Sequence, residues 1–332
     1  MTTTYSRRQA LAGLGTAMGA AIALRAPLGA AEPKLLRGVF PVMATPFTGA
    51  RMVDFEDLAK EVDFLERCGV HGMVWPQNSS LYRLLSKEER MRGMEVLAKA
   101  AKGKKPALVL GVQGANQAQM MEFAEKAESL EPDALIAMPP YEAKTMDEYR
   151  AYFTALAKLA KRPVFIQTTG GAPGLDPSVE FLVGLAREFP NLGYIKEEHE
   201  PVVQRMKALL KAKPAIKAVF SGSGGVDMTY EMRFGSDGTM PSAAFADLPA
   251  QVWDLYQAGR YAEARTIFEG LLLMLNIFRT FLESYLAVTS YLMKKRGVFK
   301  TTVSRGSSVE LAPDQIAEIE WAFEGIKPYL KA

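Results

Sequence analysis

Asn191-Leu192-Gly193-Tyr194-Ile195-Lys196-Glu197-Glu198 is a short apolar run that ends abruptly in a lysine and then in carboxylates. It follows a helical pattern closed by Phe189-Pro190, and an apolar run so placed reads as a buried strand. A lysine at the end of such a strand points into a dry, crowded place. Desolvation there favours the neutral amine, and a neutral amine is a nucleophile for ketones and aldehydes. The bland alternative is a lysine whose stem packs while its ammonium reaches solvent or a carboxylate. The local sequence leaves both open.

Working outward, the same alternation recurs along the chain. Short apolar runs lie at 38–44, 72–75, 107–111, 134–138, 164–167, 194–196, 218–221 and 238–240. Helical patterns fall between and after them, at about 54–68, 86–101, 117–129, 146–160, 178–188, 200–211, 225–233 and 248–258. Ser86-Lys87-Glu88-Glu89 has the form of a capping box, and Asp54 is placed to cap the first helix. Eight such repeats define an α/β chain that closes most economically as a (β/α)8 TIM barrel. From about 260 to 330 the pattern changes to three further helices without strands, a C-terminal extension. Within it, 268–285 is apolar almost all round, so we expect it buried against the barrel or another subunit. Arg279 and Glu283 argue against a membrane span there.

The two ends of the chain differ in kind. Residues 1–31 carry Ser6-Arg7-Arg8, then a Gly/Ala/Leu run, then Leu28-Gly29-Ala30-Ala31. A charged start, an apolar stretch and a small-residue exit form an export signal. The paired arginines resemble the twin-arginine type, which implies a periplasmic protein exported already folded. The apolar run is shorter than the ~20 residues of a membrane span, so no stable membrane insertion is expected once the signal is removed. The remaining roughly 300 residues are a size that α/β barrels fill as a single domain, here 32–332. The formal charge of +3 gives no footprint for nucleic acid. One cysteine, Cys68, leaves no internal disulfide, and its place late in an amphipathic helix makes it a core residue. Two histidines, His71 and His199, have no metal-ligand spacing with other donors, and no Gly-rich phosphate loop occurs.

In a TIM barrel the reacting groups collect at the C-terminal ends of the strands. Those ends carry Thr45-Pro46, Gln77-Asn78-Ser79-Ser80, Gln113, Pro139-Pro140-Tyr141-Glu142, Gln167-Thr168-Thr169-Gly170, Lys196-Glu197-Glu198-His199, Ser221-Gly222-Ser223-Gly224 and Met240-Pro241-Ser242. Small and hydroxyl-bearing residues let backbone N–H groups approach an anion and add donors of their own. One lysine among many neutral donors suits a small carboxylate with a neighbouring carbonyl, a 2-keto acid.

Five ordered stretches resemble the dihydrodipicolinate synthase / N-acetylneuraminate lyase family, over about residues 35–330. They are Gly38-Val39-Phe40-Pro41-Val42-Met43-Ala44-Thr45-Pro46-Phe47, Leu85-Ser86-Lys87-Glu88-Glu89-Arg90, Met138-Pro139-Pro140-Tyr141, Tyr194-Ile195-Lys196 and Gly235-Ser236-Asp237-Gly238-Thr239-Met240. The resemblance implies a lysine imine with pyruvate or another 2-keto acid at Lys196, no metal or organic cofactor, and a homo-oligomer, tetramer or dimer. The departures are as informative. Gln77-Asn78-Ser79-Ser80-Leu81 stands where the family carries Gly-Thr-Thr-Gly-Glu, which holds the keto acid's carboxylate. Gln167-Thr168-Thr169-Gly170 replaces Tyr-Asn-x-Pro, so the proton-relay tyrosine becomes a glutamine that cannot act as acid or base. Glu142 replaces the second tyrosine of Pro-Tyr-Tyr, and Ala172 matches an arginine that grips a second carboxylate in the lysine-pathway synthase.

Some other group must then move protons. Glu198, two residues past Lys196, falls on the same side if the strand continues. Glu142 and His199 are the other titratable candidates, and Tyr82 and Tyr141 could supply a phenol. Asn78 and Ser79, with Gln167 and the backbone near Met240, are the expected substrate contacts. Two functions follow. One is a lyase whose Lys196 imine drives aldol cleavage, condensation or dehydration, with Glu198 and Glu142 as catalytic partners. The other is a non-catalytic periplasmic protein that binds a small carboxylate on the same fold.

Overall fold

Strands Gly38–Val39 (β1), Gly72–Trp75 (β2), Ala107–Gly111 (β3), Ala134–Ala137 (β4), Val164–Gln167 (β5), Tyr194–Glu197 (β6), Ala218–Ser221 (β7) and Gly238–Thr239 (β8) run parallel in the order β1-β8-β7-β6-β5-β4-β3-β2. The structure is a computed structural model and describes residues 33–305 and 310–332. The expected export signal at 1–31 lies outside the described residues. The seam between β1 and β2 is spanned by His71 N–H to Val39 O (3.0 Å), Val74 N–H to Pro41 O (3.0 Å) and Met43 N–H to Val74 O (2.9 Å). Helices Phe55–Cys68 (α1), Lys87–Ala101 (α2), Gln117–Ser129 (α3), Met146–Leu159 (α4), Val179–Glu188 (α5), Val202–Leu210 (α6), Met228–Arg233 (α7) and Asp247–Gln257 (α8) follow the strands in turn. The fold is the (β/α)8 barrel that the alternation predicts.

Side-chain parity sets what fills the barrel. Ala107, Val109, Phe165, Ala218 and Phe220 point inward, while Leu108, Leu110, Ile166, Ile195 and Val219 pack outward beneath the helices. Three phenylalanines dominate the interior: the Phe40 and Phe165 rings each lie 5.1 Å from Phe220. They need small neighbours. A Cβ at Gly72 would lie 2.3 Å from the Phe40 ring, and one at Gly238 would lie 2.3 Å from the Phe220 ring. The same parity carries Gln167, two past Phe165, and Lys196, two past Tyr194, inward one layer higher.

The expected elements hold, with shifts at their ends that have local causes. The regular ladder of the run at 38–44 covers only Gly38 and Val39; beyond Pro41, which has no N–H to donate, Val42 makes isolated bridges to Val74 and Ser242. Likewise β8 stops short of Pro241. Helix α7 begins at Met228 and not at 225, since Gly224 and Gly225 take φ of 72° and 97°. Ser86 and Glu89 form the expected capping box, and Asp54 accepts from Glu56 and Asp57 N–H. Cys68 is fully buried in the core, and burial raises its thiol pKa.

The C-terminal extension is Tyr261–Thr280 (α9), Tyr285–Lys295 (α10) and Pro313–Ile326 (α11). The expectation of one stretch buried all round over 268–285 is corrected here. Helix α9 buries a stripe at Ile267, Leu271, Met274, Leu275 and Phe278, spaced three and four apart. Leu272 on its other side is 38% exposed and Leu282 is 71% exposed. The chain then bends by 90° between α9 and the segment Leu282–Lys295. No single described helix is long and apolar enough to cross a membrane. Arg296 anchors this extension: its Nη2 lies 2.5 Å from Asp247 Oδ2, the two side chains 1% and 0% exposed.

Glu231 on α7 is fully buried, and burial, with the charge of Asp227 adding to it, pushes its pKa up to about 7. The unfolded chain ionises near the ordinary carboxyl value. Stability is therefore lost progressively as pH rises from about 4.5 to about 7, and the loss is complete above that. Glu231→Gln removes the cost of holding a charge there. We expect the variant to exceed the native protein by up to roughly 3 kcal/mol near pH 8 and to lose that advantage near pH 4. Urea unfolding across that range checks it; an advantage independent of pH would contradict the assignment.

Candidate active site

Lys196 is 3% exposed at the C-terminal end of β6. Its Nζ lies 2.8 Å from Glu198 Oε1 and donates to Gln167 Oε1 at 3.0 Å. Gln167 in turn donates from Nε2 to Glu198 Oε2 at 2.8 Å, and the Thr169 hydroxyl donates to the same oxygen at 2.5 Å. One carboxylate thus receives the lysine on one oxygen and an amide and a hydroxyl on the other. Glu198 keeps the inward parity of Lys196 although β6 itself ends at Glu197.

A second layer holds the Glu198 backbone in place. The Thr168 hydroxyl donates to Glu197 Oε1 (2.5 Å) and accepts from the N–H groups of Glu198 (3.0 Å) and His199 (3.2 Å). Glu197 is fully buried, and its other oxygen lies 3.0 Å from Arg205 Nε. Gly222 donates its N–H to Glu197 O at 2.8 Å. Its missing side chain matters, since a Cβ there would lie 1.9 Å from Glu198 Cγ.

Above Lys196 opens a cavity of about 430 Å³. Its base is built from Gln77, Asn78, Ser79, Gln167, Glu198 and Met240, and its roof from the C-terminal extension through Leu275, Phe278, Arg279, Leu282 and Tyr285. Tyr285 is held by ring contact with Phe278 (centroids 4.9 Å), which itself meets Phe245 edge-on (5.2 Å). The Tyr285 pKa is raised. Burial is the main cause and the nearby Glu198 charge adds to it, while hydrogen bonds from Ser242 and Ser79 work the other way. Gln77 is buried against Gln113, whose Oε1 accepts from Gln77 Nε2 at 3.2 Å. The remaining Gln77 Oε1 has no hydrogen-bond partner among the described residues.

The structure therefore brings together Lys196, Glu198, Asn78, Ser79, Gln167 and Met240, all expected at the site. It does not bring Glu142, which corrects that expectation. Glu142 is exposed and accepts from Asn116 Nδ2 at 2.9 Å, outside the cavity wall. Its loop turns away after Pro140, so sharing a strand end with the site was not enough. His199 faces Asp176 (3.6 Å) and does not line the cavity. Tyr82 accepts from Arg83 Nε (3.0 Å), and Tyr141 lies under the same guanidinium (4.3 Å to the ring). Neither lines the cavity. The phenol that does is Tyr285, which sequence reasoning missed. The hint available was Tyr285 and Arg279 within a mostly apolar stretch. Among the described residues no group of three or more His, Cys, Asp or Glu is placed to hold a metal ion.

The profile described as the Dihydrodipicolinate synthetase family matches residues 35–323. The chain belongs to that family. It is 26% identical over 270 residues to the 4-hydroxy-tetrahydrodipicolinate synthase of Chlorobium chlorochromatii, covering 80% of this chain and 89% of that one. It is 24% identical over 288 residues to the L-2-keto-3-deoxyarabonate dehydratase of Azospirillum brasilense, covering 85% and 92%. Among solved structures, the dihydrodipicolinate synthase of Aquifex aeolicus superposes with a TM-score of 0.79 at 19% identity, covering 89% of this chain and 100% of that one. The last likeness concerns the fold. Family membership makes this chain an enzyme of the class I aldolase and lyase type, as the resemblance implied.

Replacing Gly222 by alanine tests the geometry directly. The added methyl must push Glu198 off its three partners. We expect imine formation at Lys196 to fall on the order of a hundredfold, as misplacements of about 1 Å do, with an unchanged far-ultraviolet spectrum. An undiminished rate would show that the position of Glu198 is immaterial.

Proposed function

We propose that the protein forms a Schiff base between Lys196 and a 2-keto acid, and uses it to cleave or form the C3–C4 bond or to remove water across it. The observation that carries this reading is a nearly buried lysine touching one carboxylate, 2.8 Å away, at the base of a cavity that opens on the barrel mouth.

Paired with Glu198 the ammonium is not nucleophilic. Transfer of one proton across that contact frees the amine, which adds to the C2 carbonyl. The carbinolamine then expels water, taking the proton back from Glu198, and leaves a protonated imine. In cleavage, Glu198 accepts the proton of the C4 hydroxyl as the C3–C4 electron pair moves into the imine. An aldehyde leaves and an enamine remains. In dehydration, Glu198 takes a proton from C3 and returns it to the departing C4 hydroxyl. Protonation of the enamine, where it forms, and hydrolysis then regenerate Lys196. Gln167 orients both partners without exchanging protons. Asn78 and Ser79, with Ser242 and the Tyr285 hydroxyl, supply donors for the substrate carboxylate beside the backbone at Met240.

We propose further that the enzyme is periplasmic and a dimer or tetramer. The supports are Ser6-Arg7-Arg8 with its apolar sequel, and the exposed Leu272 and Leu282 of the extension.

Incubation with pyruvate and borohydride, followed by peptide mass mapping, is the test. A reduced pyruvate adduct on Lys196, absent in Lys196→Ala, is the expected result. Glu198→Gln should lower the trapping rate by roughly 10²- to 10⁴-fold, the usual worth of a general base. The absence of an adduct with pyruvate and with a panel of 2-keto acids would favour a protein that binds carboxylates without turning them over.

A further inference from the structure

The cavity has two chemically distinct ends. Near Lys196 its wall is polar, through Asn78, Ser79, Gln167, Glu198 and Ser242. Toward the roof it is apolar, through Val226, Leu275, Phe278 and Leu282. The spacing 275, 278, 279 puts one charged side chain, the exposed Arg279, beside this apolar wall, at the last turn of α9. Arg279 lines the cavity, and among the described residues no carboxylate pairs with it. Glu283, four residues on, neither pairs with it nor lines the wall. The other cation of the cavity, Lys196, is already neutralised by Glu198.

We propose that the substrate is a 2-oxo acid with an apolar, aromatic tail ending in an anionic group, and that Arg279 selects it. This rests on the Lys196 imine reading and adds the far end of the molecule. A polyhydroxylated tail would set hydroxyls against the buried Leu275 and Phe278, which offer no hydrogen-bond partner, and burying unpaired hydroxyls is costly. An aromatic tail matches those walls. A terminal carboxylate then meets a planar guanidinium suited to grip it with two donors.

The test uses imine trapping with three 2-oxo acids that lack a C4 hydroxyl and so cannot be cleaved. One carries a phenyl tail, one a carboxyphenyl tail, and one a dihydroxylated aliphatic tail of similar length. Pyruvate serves as the tail-free reference. In the native protein we expect half-maximal trapping by the carboxyphenyl acid at roughly twofold to fivefold lower concentration than by the phenyl acid, the range of an ion pair with an exposed arginine. The dihydroxylated acid should be trapped least readily of the three. Arg279→Gln should bring the carboxyphenyl and phenyl acids together, and Arg279→Lys should keep part of the gap. Preference for the dihydroxylated tail, or a carboxyphenyl advantage that survives Arg279→Gln, would overturn the inference. A pyruvate adduct without discrimination among tails would overturn this inference alone. No adduct with any of the four would overturn the imine reading as well.

Discussion

A lysine ammonium almost out of contact with water cannot remain charged by itself. The Lys196–Glu198 contact is the constraint on which the arrangement of the site depends. It demands a carboxylate within reach, and the carboxylate demands donors for its second oxygen. Gln167 and Thr169 supply them from the neighbouring strand end. That in turn fixes β5 against β6 in the register Gln167 to Lys196. It also requires Gly222 on β7's exit, since any side chain there collides with Glu198. Beneath, the Thr168–Glu197–Arg205 chain satisfies a second buried charge without exposing it to the cavity. Three adjacent strand ends are thus specified by one lysine.

The barrel interior explains why that lysine sits at the mouth and not deeper. Phe40, Phe165 and Phe220 fill the layer below and leave no room except where Gly72 and Gly238 oppose them. The next inward layer is where polar side chains first become possible, and it holds Gln167 and Lys196. The roof comes from a different principle. Helix α9 packs by its own apolar stripe, and the 90° bend after it returns Tyr285 over the strand ends. The buried Arg296–Asp247 pair ties that returning helix to α8. Site and extension are therefore one folding problem, joined through packing far from the lysine.

This division also accounts for what could be read from the sequence. Strand parity is a period of two and is written locally, so Lys196, Gln167 and Glu198 were all legible as neighbours. Asn78, Ser79 and Met240 were legible because strand ends converge in any such barrel. Glu142 shows the limit of that rule. A strand end delivers a residue to the right face, but the turn after Pro140 decides where its side chain goes. Tyr285 and Arg279 were not legible because their placement depends on how the extension bends. Nothing local marks that bend: no proline or glycine lies between Arg279 and Tyr285. A mostly apolar stretch was read as a buried helix, when two of its polar residues, Arg279 and Tyr285, face the cavity.

The replacement of a proton-relay tyrosine by Gln167 looks like a loss until the charges are followed. A phenol at that position could both orient and exchange protons. Glutamine only orients, and it presents an acceptor to the lysine and a donor to the carboxylate simultaneously. The proton traffic is thereby confined to the Lys196–Glu198 contact. A buried ion pair of this kind contributes little to stability, and in the proposed mechanism its place is to hold the lysine's proton where Glu198 can take it.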